Sequence, residues 1–204
     1  EVNSLYAFAN IGYKNYAFLD LTYRQDTSST LPVDTNTYGY YSAGLSLVLS
    51  DLIDLPSSID FMKFRASYAE VGNDTDPYKL SRLANLQNGG FIALQGSAPA
   101  SNLKPEMTKS FEFGLDATLF NRVNLDLTYY KSNSLDQLFA QDVPSGSGVS
   151  SKFINGADIE NSGIEASINV GVLTKGDFLW DVSFNYAANK SKVLKLAEGL
   201  DQLN

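Results

Sequence analysis

The sequence predicts an all-β protein, an antiparallel β-barrel that crosses a membrane with its strands. Apolar and polar residues alternate along segments of about ten residues, and the connections between these segments alternate between short and long. Aromatic residues are frequent, with 12 Tyr, 12 Phe and 1 Trp among 204 residues. A tilted strand needs about nine to eleven residues to cross a bilayer, and strands of soluble sheets average only about five or six. The segments therefore suit a membrane barrel.

About eight segments show this alternation, with apolar side chains on one face and small or polar side chains on the other. In the first strong segment, for example, Leu19 and Leu21 alternate with Asp20 and Thr22. The strong segments are residues 15–24, 39–50, 110–119, 122–129, 164–172 and 178–186, and the weaker ones are residues 5–13 and 62–68. We expect each of them to be a strand.

The connections differ in length in a regular way. The short ones lie at residues 14–15, 121 and 174–177, and a moderate one spans residues 51–60, where Pro56 ends the strand. The long ones, rich in Ser, Thr, Asn, Gly and Pro, are residues 25–38, 73–105 and 132–158. Short turns on one rim and long loops on the other are typical of outer-membrane barrels, whose long loops face the cell exterior.

Composition excludes several functions. The formal net charge of −8 argues against nucleic-acid binding, which needs a basic face. The chain has no His and no Cys, so it has no Cys/His zinc site, no Ser-His-Asp triad and no thiol nucleophile. Asp74 and Asp76 are spaced like the start of a calcium loop, but the later Gly and Glu are missing, so we expect solvated acids. We predict no enzyme activity, no cofactor and no metal site.

Residues 76–89 have the end signals of a short helix. Asp76 precedes Pro77 at the first helical position, and Gly89 closes the segment. The alternative is an irregular loop that covers the mouth of the barrel.

Charged residues lie on the polar side of the alternation. We expect this side to face the lumen of the barrel, because a Lys or Arg on the lipid side costs about 2–4 kcal/mol at the bilayer midplane. The expected lumen-facing charged wall comprises Asp20, Arg24, Lys63, Arg65, Glu112, Asp116, Arg122, Asp126, Glu165 and Asp181.

Several motifs resemble the SusC/RagA family of TonB-dependent outer-membrane transporters of Bacteroidota. They stand in the order found in that family and cover nearly all of the chain. The clearest are FRASY at 64–68 with VGN at 71–73, NLKPE at 102–106 with KSFEFG at 109–114, and IENSGIE at 159–165. Residues 16–29 and 178–190 are similar to barrel strands of the same family.

This resemblance implies a barrel of about 22 strands with an N-terminal plug, in the outer membrane of a Gram-negative bacterium. It also implies a SusD-like surface lipoprotein as partner, energy supplied through TonB, and import of oligosaccharides or peptides. The sequence lacks a plug and a TonB-contacting segment, and it ends at Leu203 and Asn204 rather than on an aromatic C-terminal strand. We therefore expect residues 1–204 to be an internal part of one barrel domain, about eight strands in contact with outer-membrane lipid.

In such a transporter, aromatic residues of the outer loops are natural groups for stacking on a sugar or peptide. Tyr38, Tyr78 and Phe91 are the candidates for substrate contact. The alternative for all three is packing within the loops.

Two other functions stay open from the sequence. One is a small self-contained outer-membrane barrel with a structural or adhesive role, in which the first and last strands would pair. The other is a soluble extracellular β-rich binding module, which would bury its apolar faces inside a sandwich.

Overall fold

A computed structural model describes residues 1–197, and eight long strands form its main sheet. The strands are β1 Val2–Tyr13, β2 Ala17–Ser28, β3 Thr37–Val48, β4 Ile59–Asn73, β5 Ala84–Leu86, β6 Ile92–Leu94, β7 Ser97–Ala98, β8 Glu106–Leu119, β9 Val123–Asp142, β10 Ser151–Lys175 and β11 Phe178–Leu196. A helical turn, α1, spans Leu49–Leu52, and a 3-10 turn spans Ser145–Ser147.

The long strands lie side by side in the order β1-β2-β3-β4-β8-β9-β10-β11, and all of these pairs are antiparallel. β5 and β6 form a separate hairpin, and β7 pairs in parallel with the start of β10. The predicted all-β antiparallel architecture with about eight long strands is confirmed. No helix among residues 1–197 has the length and apolar character needed to cross a membrane.

The short connections are tight hairpin turns built on left-handed backbone. Lys14 and Asn15 have φ values of 47° and 61°, and Phe120 and Asn121 have φ values of 54° and 51°. Two successive residues with positive φ make the turn whose twist matches the right-handed twist of paired strands. These turns therefore set the register of β1 with β2 and of β8 with β9.

Register separates the main sheet into an apolar face and a polar face. Residues directly opposite each other on neighbouring strands share a face, so Leu115, Leu127 and Ala166 lie together on the apolar face. Asp116 and Asp126 lie opposite each other on the polar face. The alternation predicted from the sequence thus continues across strands.

The apolar face is exposed rather than packed against protein. Phe184 is 60% exposed and Phe113 is 45% exposed. The buried hydrophobic residues of the described chain are few: Leu31, Ala100, Leu103, Ala117 and Ala157. A soluble sandwich would bury this face, because large exposed apolar surfaces mark contact with lipid or with another protein. The arrangement favours a lipid-facing sheet over the soluble binding module.

The two outermost strands leave the sheet open. Within residues 1–197, β1 pairs with β2 and β11 pairs with β10, and the two do not pair with each other. A small self-contained barrel requires that pairing, so the described sheet does not support it. The expected C-terminal feature at Leu203 and Asn204 lies outside the described residues.

One long loop is much shorter than predicted. Residues 132–158 were expected to be a loop, but β9 continues to Asp142 and β10 begins at Ser151, which leaves a tip of residues 143–150. Outside lipid a strand needs no continuous apolar face, so alternation is lost while backbone pairing continues. The other long connections, residues 29–36 and 74–105, lie within or close to their predicted bounds.

Of the two possibilities left open for residues 76–89, the short helix does not form. The chain makes one turn over residues 77–80 and then enters the β5–β6 hairpin. Tyr78 has φ of 68°, a left-handed conformation that an α-helix cannot include. Gly89 and Gly90, with φ of 87° and 79°, form the hairpin turn instead of a helix C-cap.

The two faces predict a large and a small effect on stability when a new charge is placed at adjacent positions of β9. In the full-length barrel, Leu127→Lys places an ammonium group near the middle of the apolar band and is expected to destabilise by about 2–4 kcal/mol. Thr128→Lys, on the polar face, should change stability by less than about 1 kcal/mol. Urea unfolding in lipid vesicles measures both, and equal losses would contradict this assignment of the faces.

Candidate functional site

The charged residues predicted for the lumen wall are mostly gathered on one face. The strand positions share the polar face by register, including Asp20 on β2, Glu112 on β8 and Glu165 on β10. Arg122 is an exception, because it lies in the turn before β9, where its backbone carbonyl accepts a hydrogen bond from the amide of Gly171 at 2.8 Å. We call the strand residues of this face the polar wall: Asp20, Arg24, Lys63, Arg65, Glu112, Asp116, Asp126, Glu165 and Asp181.

An ion-pair cluster lies on β4, β8 and β9. One terminal nitrogen of Arg65 is 3.0 Å from Oδ1 of Asp116 and 3.3 Å from Oδ2 of Asp126. Lys63 Nζ is 3.9 Å from Oδ2 of Asp116. Two basic and two acidic side chains therefore compensate one another without losing contact with solvent, since all four are at least a quarter exposed.

A glycine makes room for this cluster. Gly114 lies directly opposite Arg65, and a Cβ at that position would be 2.8–2.9 Å from the guanidinium atoms. The guanidinium thus lies flat over the backbone of β8 and reaches the carboxylates of the next positions. KSFEFG, one of the motifs that carried the family resemblance, contains this glycine.

A second cluster lies at the long-loop end of β2 and β3. Asp26, only 3% exposed, accepts hydrogen bonds from Nε of Arg24 and from the hydroxyl of Tyr40, both at 2.8 Å. Burial alone would raise the pKa of the Asp26 carboxyl, but hydrogen bonds from Arg24, Ser4 and Tyr40 outweigh burial and lower that pKa. Asp26 therefore stays ionised and holds the ends of three strands together.

The long loops share a small core of their own. Its buried members come from two connections: Leu31 from residues 29–36, and Ala100 and Leu103 from residues 74–105. The partly buried side chains packed against them are Tyr38, Leu80, Leu138 and Phe153. We call this cluster the loop core. It joins three segments that are far apart in sequence, so the loops form one packed platform at that end of the sheet.

Hydrogen bonds from Asn155 fasten this platform to the extended strands. Its amide nitrogen donates to the carbonyl of Lys104 at 2.9 Å and to that of Asp136 at 2.7 Å, and its Oδ1 accepts from the amide of Lys104 at 2.9 Å. Thr35 adds a hydroxyl bond of 2.6 Å to the carbonyl of Leu103. Backbone groups that would otherwise lie unpaired under the loops are thus satisfied.

The three candidate contact residues differ in their surroundings. Tyr38 belongs to the loop core, its ring lies over Gly72, and burial raises the pKa of its hydroxyl to about 12. Tyr78 and Phe91 are 70% and 74% exposed. Tyr38 is therefore packed among the loops, whereas the rings of Tyr78 and Phe91 are exposed.

Asp74 is not a solvated acid as expected from the sequence. Its carboxylate accepts hydrogen bonds from the hydroxyls of Ser28 and of Thr30, the latter at 3.1 Å. Asp76 is exposed and lies 4.0 Å from Nζ of Lys79. Over residues 1–197, acidic side chains nowhere gather in a group of three that could hold a metal ion.

Sequence reasoning missed the residues that organise the loops. Asn155 contacts Lys104 across 51 residues, and Ser28 contacts Asp74 across 46 residues, so no local pattern marks either pair. Asn155 lies in the segment predicted as a loop, where polar residues are common, so its residue type gave no signal.

Asn155 offers a test of the platform in the full-length protein. Asn155→Ala leaves three backbone partners unsatisfied and is expected to weaken local stability by about 1–3 kcal/mol. Hydrogen exchange of residues 100–106 and 134–138 should accelerate while exchange in the membrane strands is unchanged. Asn155→Asp keeps an acceptor but loses both donors, so its hydrogen exchange should resemble that of Asn155→Ala. If both variants are protected as well as the unmodified protein, the platform is contradicted.

Comparison with known proteins agrees with this geometry. The family described as TonB dependent receptor-like, beta-barrel matches residues 1–201. TonB-dependent receptor P3 of Formosa agariphila is 33% identical over 213 aligned residues, and TonB-dependent receptor SusC of Bacteroides thetaiotaomicron is 33% identical over 102. These alignments cover 98% and 49% of the chain, and 21% and 10% of the two relatives.

Solved structures show the same fold. The RagAB peptide transporter matches with a TM-score of 0.86 at 24% identity, over 98% of the chain and 23% of the matched transporter chain. The siderophore receptor PirA of Pseudomonas aeruginosa matches with a TM-score of 0.63 at 17% identity, over 94% of the chain and 36% of that receptor. TonB-dependent receptor P3 aligns with nearly all of the chain, and the chain spans about a fifth of that relative's length. The expected resemblance is confirmed: the chain belongs to the TonB-dependent receptor β-barrel family, whose SusC and RagA members lie in the outer membrane of Gram-negative bacteria.

Proposed function

We propose that the complete protein is a SusC-like, TonB-dependent importer that takes up oligosaccharides or peptides across the outer membrane. The observation that carries this proposal is that one sheet has an exposed apolar face on one side and the charged polar wall on the other. Residues 1–204 would be one stretch of a single barrel domain, with the plug and the remaining strands of about 22 supplied by the rest of the protein.

The polar wall would line the path of the cargo. Its nine members comprise three basic and six acidic residues. The three basic residues are already paired, Arg65 and Lys63 with wall carboxylates and Arg24 with Asp26. Charged groups that line a pore select solutes by the sign of their charge. The excess of carboxylates on this stretch favours neutral or cationic cargo, so we propose neutral oligosaccharides or peptides without a strong negative charge rather than acidic glycans.

The loop platform would hold the groups that first meet the cargo. Tyr78 and Phe91 lie on the 74–105 connection, project from it and are exposed. Aromatic rings stack on sugar faces and pack against peptide side chains. Tyr38, enclosed in the loop core, would act by holding the platform rather than by touching the ligand.

We also propose a SusD-like lipoprotein over the loops and TonB as the source of energy, acting through the N-terminal part of the complete protein. Support comes from the SusC relative and from the fold match to the RagAB peptide transporter. The relatives are receptors and transporters, which favours transport over catalysis as the role of this chain.

Purification of the full-length protein from native membranes tests the assembly. A lipoprotein is expected to co-purify in stoichiometric amount after mild detergent extraction, because the loops offer a broad platform rather than a closed cap. Intact mass and peptide identification measure the result. A full-length barrel that is recovered alone and still imports cargo would contradict the lipoprotein partnership.

Substitution of the two exposed rings tests their role in cargo binding. Tyr78→Ala with Phe91→Ala is expected to weaken binding by about tenfold, since each stacking contact contributes about 0.5–1.5 kcal/mol. Calorimetry of the complex with neutral oligosaccharides, acidic oligosaccharides and a peptide mixture identifies the class that binds. Phe120→Ala, an equally exposed aromatic at the turn on the opposite rim, is the matched control and should leave affinity unchanged.

A further inference from the structure

On the apolar face, Lys175 lies opposite Phe178 at the short-turn rim. At the long-loop end, six charged side chains gather immediately beyond the aromatic end of the apolar band. Four of them are lysines and two are glutamates. We call this group the lysine collar: Lys109, Lys131, Lys190, Lys192, Glu70 and Glu160.

Register aligns the collar in two rows. In the upper row, Glu70 lies opposite Lys109, and the row continues through Asn133 and Glu160 to Lys192. In the lower row, Lys131 and Lys190 lie on either side of Ser162. With strands about 4.8 Å apart, the four lysines span about 14 Å from β8 to β11.

The collar begins where the apolar band stops. Lys131 follows Tyr129 by two residues along β9, and Lys109 precedes Phe111 by two along β8, so each lysine is the next outward-facing position. The rings of Tyr68 and Phe111 are in contact, with centroids 4.6 Å apart. Aromatic rings gather at the interface between the hydrocarbon core and the headgroups. The lysines therefore lie at headgroup level.

The collar has an excess of two positive charges in a chain whose net charge is −8. Lys109 is 3.1 Å from Glu70 and Lys131 is 2.8 Å from Glu160, which orients these two ammonium groups. Among residues 1–197, Lys190 and Lys192 form no ion pair. Positive charge is thus concentrated on the lipid side of β11.

We propose that the lysine collar binds the phosphate groups of glycolipid headgroups in the outer leaflet. Clustered lysines next to a bilayer attract anionic lipid headgroups, and phosphate accepts several charge-assisted hydrogen bonds. The collar is continuous with the exposed apolar band, so the ligand that meets it also needs acyl chains. Lys190 and Lys192 supply the uncompensated charge, and the two glutamates hold Lys109 and Lys131 in place.

Native mass spectrometry of the full-length protein, titrated with diphosphoryl lipid A, tests the proposal. Lys190→Gln with Lys192→Gln is expected to weaken lipid A binding by about tenfold or more, because each lysine near the surface contributes roughly fivefold. Lys190→Arg with Lys192→Arg keeps the charge and should retain binding. Lipid A stripped of its phosphates should bind weakly to every variant.

Lys14→Gln is the matched control, a lysine in the turn on the opposite rim. It should bind diphosphoryl lipid A as the unmodified protein does. The proposal is overturned if the two Gln substitutions leave binding unchanged in a protein whose heat-modifiable barrel band shows correct folding. It is also overturned if stripped lipid A binds as tightly as the phosphorylated form, or if the substitutions instead remove a co-purified protein. None of these outcomes depends on which cargo is imported.

Discussion

Backbone pairing in lipid is the constraint on which the structure depends. Within a bilayer each N–H and C=O of a strand must be bonded to a neighbouring strand, because no water is present to take its place. The tight turns at Lys14 and at Phe120 fix where pairing begins, and a shift of one residue would exchange the lipid and polar faces. Every other feature, from the polar wall to the lysine collar, is a consequence of that register.

The two faces of the sheet use charge differently. On the polar wall, carboxylates and guanidinium groups stay hydrated or paired, and Gly114 gives Arg65 the space to reach two of them. On the apolar face, the charges of the lysine collar lie beyond the aromatic end of the apolar band. In the proposed importer, the same residue types would line the cargo path on one face and contact lipid headgroups on the other.

The loops are a folded structure in their own right. Asn155 and the loop core tie residues 74–105 to the extended ends of β9 and β10. A packed platform holds Tyr78 and Phe91 in defined places, which lowers the entropic cost of ordering these side chains in a contact. Tyr38, packed against the loop core, contributes to that order.

The sequence by itself determined the strands, their two faces and the family, because period-two alternation and short local motifs are written in neighbouring residues. It also placed most charged wall residues on the correct side of the alternation. It left residues 76–89 open between a short helix and a loop, where a left-handed Tyr78 excludes the helix. It failed at residues 132–158, where pairing continues without alternation. Only the tertiary structure decided the contacts of Asn155, the burial of Asp26 and the rows of the lysine collar. These depend on which strands lie side by side and in what register, and that information is spread over residues far apart in the chain.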